Sequence, residues 1–303
     1  MSLPKITSIS IPSVGFGTGT KWFKFGRDDL DENLVSNLKL AISKGLTHID
    51  GAEVYNTDLE TGKAIEGLDR SKLWITDKYF AGDETYTAHS TYANPYESLK
   101  GSLKKLGTSY VDLYLLHAPF IKKESHGFDL KEAWQFLEKA KDEGLAKHIG
   151  VSNFEVSHLK TILEGAKHKV EVHQIEFNPF LQNQTPGVVE FSQKEGIVVE
   201  AYSPLGPLYK GDASNPAYKP FDAYLGELSA KYGRSKTQIL LKWTQQRDIV
   251  PVTTSSRPER LDEFLKLSEF ELTSEEVTKI KDLGLAYSPP LRQYWNPEFG
   301  KYD

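Results

Sequence analysis

The sequence predicts an α/β chain that closes into a (β/α)8 TIM barrel, and three observations carry the prediction. Short apolar runs rich in Val, Ile, Leu and Tyr alternate with longer segments whose apolar residues recur at helical spacing. About eight such pairs fit along the 303 residues, the number a closed parallel barrel requires. Three successive strand-like runs finish at or next to ionisable side chains, as expected where functional groups gather on the C-terminal rim of the strands.

The elements follow in order. Predicted strands are residues 14–18, 47–50, 73–78, 111–117, 148–152, 172–177, 198–203 and 250–253, most of them rich in β-branched or aromatic residues. Apolar residues three and four apart predict helices over 31–43, 59–66, 95–106, 130–143, 156–164, 188–194, 236–245 and 258–267. Ser235 stands just before one of these, and Thr273-Ser274-Glu275-Glu276 sets a hydroxyl three residues ahead of a carboxylate, the spacing of a capping box. The helix starting there is an extra C-terminal addition to the barrel. Between Leu205 and Phe221, Gly206, Pro207, Gly211, Asp212, Asn215, Pro216 and Pro220 predict a long loop after strand 7, of a kind that often serves as a lid or binding loop. A tail from Ser288 opens with Pro289-Pro290 and gathers Leu291, Tyr294, Trp295 and Phe299, apolar groups that must cover something. No internal repeat or low-complexity segment divides the chain, so residues 1–303 are expected to form one domain.

Bulk properties exclude several classes. A net charge of -5 without blocks of like charge is no footprint for nucleic acid or an anionic membrane. The absence of cysteine removes disulfide frameworks, thiolate metal sites and cysteine nucleophiles, and suits a cytoplasmic chain. The first eight residues lack a signal-peptide pattern, and no apolar run reaches the roughly 18 residues of a membrane span. A monomer or weak dimer is expected. The eight histidines form no His-x-His or His-x-x-x-His pair, which speaks against a metal-dependent hydrolase.

The chemistry centres on Thr47-His48-Ile49-Asp50-Gly51-Ala52-Glu53-Val54-Tyr55, an apolar run that ends in an acid and places a phenol just beyond. A phenol has a pKa of about 10, so donating a proton near neutral pH calls for a nearby cation. Lys78 ends the next strand-like run and His117 the one after. Taken singly, each of these residues is more often structural; four complementary groups in this order make a site. Asp77 and Asp112 are read as structural.

The order Asp50, Tyr55, Lys78, His117 resembles the aldo-keto reductase superfamily of NAD(P)H-dependent carbonyl reductases. Further matches are Gly15-Phe16-Gly17-Thr18, Ile149-Gly150-Val151-Ser152-Asn153, Gln174-Ile175-Glu176 and Ala201-Tyr202-Ser203-Pro204-Leu205-Gly206. Within the superfamily, Gly17-Thr18-Gly19-Thr20-Lys21-Trp22 and Pro251-Val252-Thr253-Thr254-Ser255-Ser256 look most like fungal reductases of alpha-keto amides and conjugated polyketones. The resemblance implies that Tyr55 protonates the carbonyl oxygen during hydride transfer. Lys78, held by Asp50, lowers the phenol's pKa, and a neutral His117 orients the carbonyl.

For the cofactor, the resemblance implies that Ser152, Asn153 and Gln174 bind the nicotinamide amide and that Tyr202 stacks on its ring. Gly17, Thr18, Gly19 and the loop Ser203, Pro204, Leu205 join the cofactor set. Residues 15–19 lack the later glycine of a dinucleotide fingerprint, so a Rossmann domain is disfavoured. Thr254, Ser255 and Ser256 precede a helix start, whose free N–H groups suit anions. Arg257 and Arg260 then favour a 2′-phosphate, hence NADPH over NADH. Many relatives have Lys-Ser where this chain has Thr254-Ser255, so one expected charge is missing. By position, Trp22, Phe23, Phe120, Tyr294 and Trp295 are candidates for an aromatic wall around a small carbonyl substrate, with core packing an equal alternative for each. Ala118-Pro119 after His117 implies a roomy pocket, and Asn178 and His173 depart from the common pattern. The alternative reading is a non-catalytic relative that senses NADPH or binds a partner.

Overall fold

The computed structural model describes residues 9–24, 26–83 and 85–303; the first eight residues, on which the reading of the N-terminus rests, lie outside them. Eight parallel strands close on themselves: β1 (Gly15–Gly17), β2 (His48–Asp50), β3 (Trp74–Tyr79), β4 (Val111–Leu116), β5 (Ala146–Ser152), β6 (Val172–Glu176), β7 (Val198–Tyr202) and β8 (Ile249–Thr253). Gly15 pairs with Val252 and Phe16 with Ile49, so the first strand joins the last and the barrel has no edge.

Around it run α1 (Glu32–Lys44), α2 (Asp58–Ile65), α3 (Pro95–Leu106), α4 (Lys123–His126), α5 (Leu130–Asp142), α6 (Val156–Leu163), α7 (Val188–Lys194), α8 (Gly206–Lys210), α9 (Tyr218–Tyr232), α10 (Lys236–Gln245), α11 (Pro258–Leu265) and α12 (Ser274–Leu285). Their starts follow the capping chemistry in the sequence. Asp31 accepts the N–H groups of Asn33 and Leu34, and both Ser235 and Thr273 form capping boxes, with Gln238 and Glu276. Gly45 ends α1 at φ 111°, a left-handed backbone that a side chain would strain.

The region after β7 differs from the sequence expectation. It is not one long loop: α8 starts at Gly206, and the 15-residue α9 covers a stretch for which no helix was predicted. Pro216 and Pro220 masked the helix, because proline is tolerated near a helix start although it reads as a breaker. Its buried face, Phe221, Leu225 and Leu228, was present at helical spacing.

Strand alternation sorts the barrel residues. Ile49, Ile75, Tyr114, Ile149 and Val199 point out to the helices in the main core. Trp74, Leu113, Leu115, Val172, Val198 and Val250 fill the lower interior, with Ile11. Two residues further along their strands, Thr76, Gln174 and Glu200 begin a polar layer that leads to the mouth. Among the described residues, no helix is long and apolar enough to cross a membrane.

Candidate active site

A cavity of about 670 Å³ opens at the C-terminal ends of the strands. Asp50 ends β2, and after Gly51 and Ala52 a single 3-10 turn, Glu53–Tyr55, lifts the phenol over the rim. Lys78 on β3 donates to Asp50 Oδ1 and to the Gly51 carbonyl, both at 2.7 Å, and its ammonium lies 5.2 Å from the centre of the Tyr55 ring. His117 Nε2 is 3.5 Å from the Tyr55 hydroxyl. The four groups expected to act together therefore meet at one place.

Electrostatics assigns their protonation. Burial pulls the Lys78 amine down, but the Asp50 carboxylate more than reverses this and keeps it a cation. Burial, then Lys78, pushes His117 well below the ordinary imidazole range, so it is neutral. Tyr55 departs from expectation: burial raises its phenol above the usual value, and Lys78 only opposes that rise. The phenol is thus a firmly protonated acid in this structure, with the lysine limiting the penalty on losing its proton.

Close packing fixes the phenol. A Cβ on Gly19 would lie 2.9 Å from the Tyr55 ring, so glycine is required for that approach rather than for an unusual backbone angle. Lys24 donates its backbone N–H to the Tyr55 carbonyl at 3.2 Å. Glu53, which the sequence reading passed over, accepts from Phe80 N and from the Ser90 and Ser98 hydroxyls, binding the turn to the segment after β3 and to α3.

The amide cluster forms on the far wall. Asn153 Nδ2 donates to the His117 carbonyl and to Ser152 Oγ, while its Oδ1 accepts from Tyr202 and Gln184. Ser152 donates to the Gln174 backbone and is fully buried, so it braces the wall without lining the cavity. Asn153 and Ser203 adopt left-handed backbones, φ 62° and 53°, just past β5 and β7. Gln174, Tyr202, Ser203, Pro204 and Leu205 line the cavity, as do Gly17 and Gly19. Thr18 is buried behind them, donating to the Asp50 carbonyl.

At the other end, Thr254 and Arg260 line the cavity, and Thr254 Oγ1 is buried with no hydrogen-bond partner among the described residues. Ser255 is tied by Asn37 to α1, and Arg257 is the exposed cap residue of α11; neither they nor Ser256 line the cavity. Lys21, which the sequence reading did not single out, donates to Ser256 Oγ. It brings a cation from 235 residues away in the chain to the run where one was missing, a placement that spacing could not reveal.

The aromatic wall is corrected in two places. Trp22 is 6% exposed and belongs to the hydrophobic core, and Phe120 packs behind Trp295 and Phe299, with ring centroids 5.4 and 6.4 Å away. Phe23, Tyr294 and Trp295 do line the cavity. The tail reaches it because Glu176, at the end of β6, accepts the backbone N–H groups of Gln293 and Tyr294, and because Arg292 pairs with Asp303. Leu291, Trp295 and Phe299 pack on the core, which answers what the tail covers.

A phenol beside a lysine–carboxylate pair and a neutral imidazole therefore opens into a long cleft on the C-terminal rim of a (β/α)8 barrel, the face where barrel enzymes carry their active sites. Residues 13–284 match the aldo/keto reductase family. The chain is 48% identical over 302 residues to an NADPH-dependent alpha-keto amide reductase of Saccharomyces cerevisiae, covering 97% of this chain and 93% of the relative. It is 38% identical to an NAD/NADP-dependent indole-3-acetaldehyde reductase of Schizosaccharomyces pombe, covering 91% and 93%. Among solved structures, an aldose reductase from Schistosoma japonicum superposes with a TM-score of 0.76 at 28% identity, covering 97% of this chain and 94% of that one. The chain belongs to the aldo/keto reductase family.

Proposed function

We propose that this protein reduces activated ketones and aldehydes, above all alpha-keto amides, alpha-keto esters and diketones, to alcohols, with Tyr55 as proton donor. One observation carries the reading: the half-buried Tyr55 places its hydroxyl 3.5 Å from His117 Nε2, with the Lys78–Asp50 pair against its ring, at the mouth of the cavity. NADPH, when bound, supplies the hydride. The carbonyl oxygen sits between Tyr55 and His117, where neutral His117 donates a hydrogen bond and Tyr55 delivers the proton. Lys78 stabilises the phenolate left behind until solvent reprotonates it. A neighbouring carbonyl favours reaction because it makes the attacked carbon more electrophilic, and the name of the yeast relative supports this substrate class.

The cavity suits the cofactor at both ends. Gln174, Asn153 and Tyr202 line the end of the cavity next to Tyr55, where polar side chains and an aromatic ring suit the nicotinamide. Thr254, whose hydroxyl has no hydrogen-bond partner among the described residues, and Arg260 line the other end, and Lys21 sits on Ser256, two residues after Thr254; this group of a hydroxyl and two cations suits the adenosine 2′-phosphate. A cytoplasmic location belongs to the same proposal.

The test is oxidation of NADPH with a panel of alpha-keto esters, alpha-keto amides and cyclic diketones, alongside Tyr55→Phe. Turnover that vanishes in the variant is expected. Equal rates with unactivated ketones would remove the substrate class, and binding of NADPH without turnover would favour a non-catalytic sensing role. Arg260→Ala and Lys21→Ala should each raise the KM for NADPH relative to NADH by about tenfold, the order of one lost charge-assisted hydrogen bond. An unchanged ratio would remove both residues from the phosphate site.

A further inference from the structure

Inside the barrel, below the catalytic groups, lies a second carboxylate that the chemistry above does not use. Glu200 on β7 is fully buried and points into the barrel. Gln174 Nε2 bridges two acids, donating to Asp50 Oδ2 at 2.8 Å and to Glu200 Oε2 at 2.9 Å. The amide must be oriented this way, since its oxygen would face two carboxyl groups. Its own carbonyl is thereby turned away from the acids.

The remaining surroundings of Glu200 compensate its charge only weakly: the Lys78 ammonium favours the carboxylate, but burial and the Asp50 charge outweigh it. Oε1 has no hydrogen-bond partner among the described residues and lies 3.6 Å from His48 Nε2. His48 faces it from β2 beside Asp50, Thr76 and Lys78 lie on β3, and Val250 pairs with it in register on β8. Burial holds His48 down at about 4, so the imidazole is neutral and supplies no counter-charge. Lys78 is already paired with Asp50.

We propose that Glu200 is a positioning residue for the proton donor: it locks Gln174 across Asp50 and, through Asp50 and Lys78, sets the pH range over which Tyr55 keeps its proton. This rests on the proton-donor role proposed for Tyr55. Burial, then the Asp50 charge, pushes the Glu200 carboxyl up to about 8. Below that pH the interior holds one carboxylate and one ammonium, which balance. Above it a second negative charge appears beside them, disfavours the phenolate and holds the proton on Tyr55.

The experiment compares wild type with Glu200→Gln, which retains a hydrogen-bond acceptor for Gln174 and cannot ionise. The readouts are the pH dependence of kcat/KM for ketone reduction and the pH dependence of the melting temperature. In the variant the alkaline limb of kcat/KM should move down by about one pH unit, the order imposed by one nearby charge. The melting temperature of wild type should drop more than that of the variant as pH rises up to about 8, because over that range the folded state holds a proton that the unfolded state has already lost; above about 8 the two profiles should run parallel. Superimposable rate profiles would overturn the proposal, and so would melting profiles that run parallel over the lower range as well. Should Glu200→Gln fail to fold, Glu200→Thr, smaller and still polar, gives the same reading. A wild type inactive on every carbonyl would instead strike down the role of Tyr55, while the melting profiles would still decide whether Glu200 ionises as stated.

Discussion

At the scale of single residues, the site depends on contacts that leave no slack around the phenol. Gly19 is the sharpest case, because a methyl there would sit 2.9 Å from the Tyr55 ring, so the ring itself would have to shift. Gly19→Ala is expected to displace the hydroxyl and to lower kcat by tenfold or more, on the order of the penalty for a small misplacement of a catalytic group. Steady-state rates on an alpha-keto ester would check this, and an unchanged kcat would show that the ring is held elsewhere. Lys21 teaches the complementary lesson. The sequence showed a cation missing at Thr254, and the replacement came from another loop, held on Ser256.

At the scale of elements, turns and caps do the positioning. The turn Glu53–Tyr55 is clamped through three hydrogen bonds to Glu53. Glu53→Ala should loosen the turn and reduce kcat while leaving the barrel folded, which circular dichroism beside the kinetics would verify. Farther away, the capping box of α12 is predicted to be modest in energy: Thr273→Ala should cost about 1 kcal/mol in urea unfolding. Glu276→Ala should cost more, because Glu276 also accepts from Lys231 and Tyr232 on α9. Equal losses would mean that the bridge to α9 contributes nothing. That helix is also the element the sequence hid, since Pro216 precedes it and Pro220 falls in its first turn, where a helix tolerates proline.

At the scale of the whole molecule, the buried ionisable groups set how stability varies with pH. Burial raises the carboxyls of Asp58, Glu176 and Glu200 to about 6, 7 and 8. Each contributes stability in full below the unfolded carboxyl pKa of about 4, and that contribution is lost as pH rises through the folded value. Burial lowers His48 and His173 to about 4 and 3, so their contribution is lost as pH falls below the unfolded value of about 6.5. The two sets oppose each other in mild acid, and above about pH 6.5 only the carboxyls still act. Stability should therefore fall between about pH 6.5 and 8.5, by about 1.4 kcal/mol per pH unit for each extra proton the folded state holds. Calorimetry of wild type and Glu176→Gln would check this; a flat wild-type profile would contradict it. The sequence by itself determined the barrel, the order of its strands and the four groups at their ends, because alternation and helical periodicity are local and a parallel barrel sends strand ends to one rim. Only the tertiary structure decided that Trp22 and Phe120 belong to the packing, that Lys21 reaches Ser256, and that Glu200 stands beneath Asp50. Those are contacts between segments far apart in the chain, and their geometry is set by barrel closure, which no local pattern encodes.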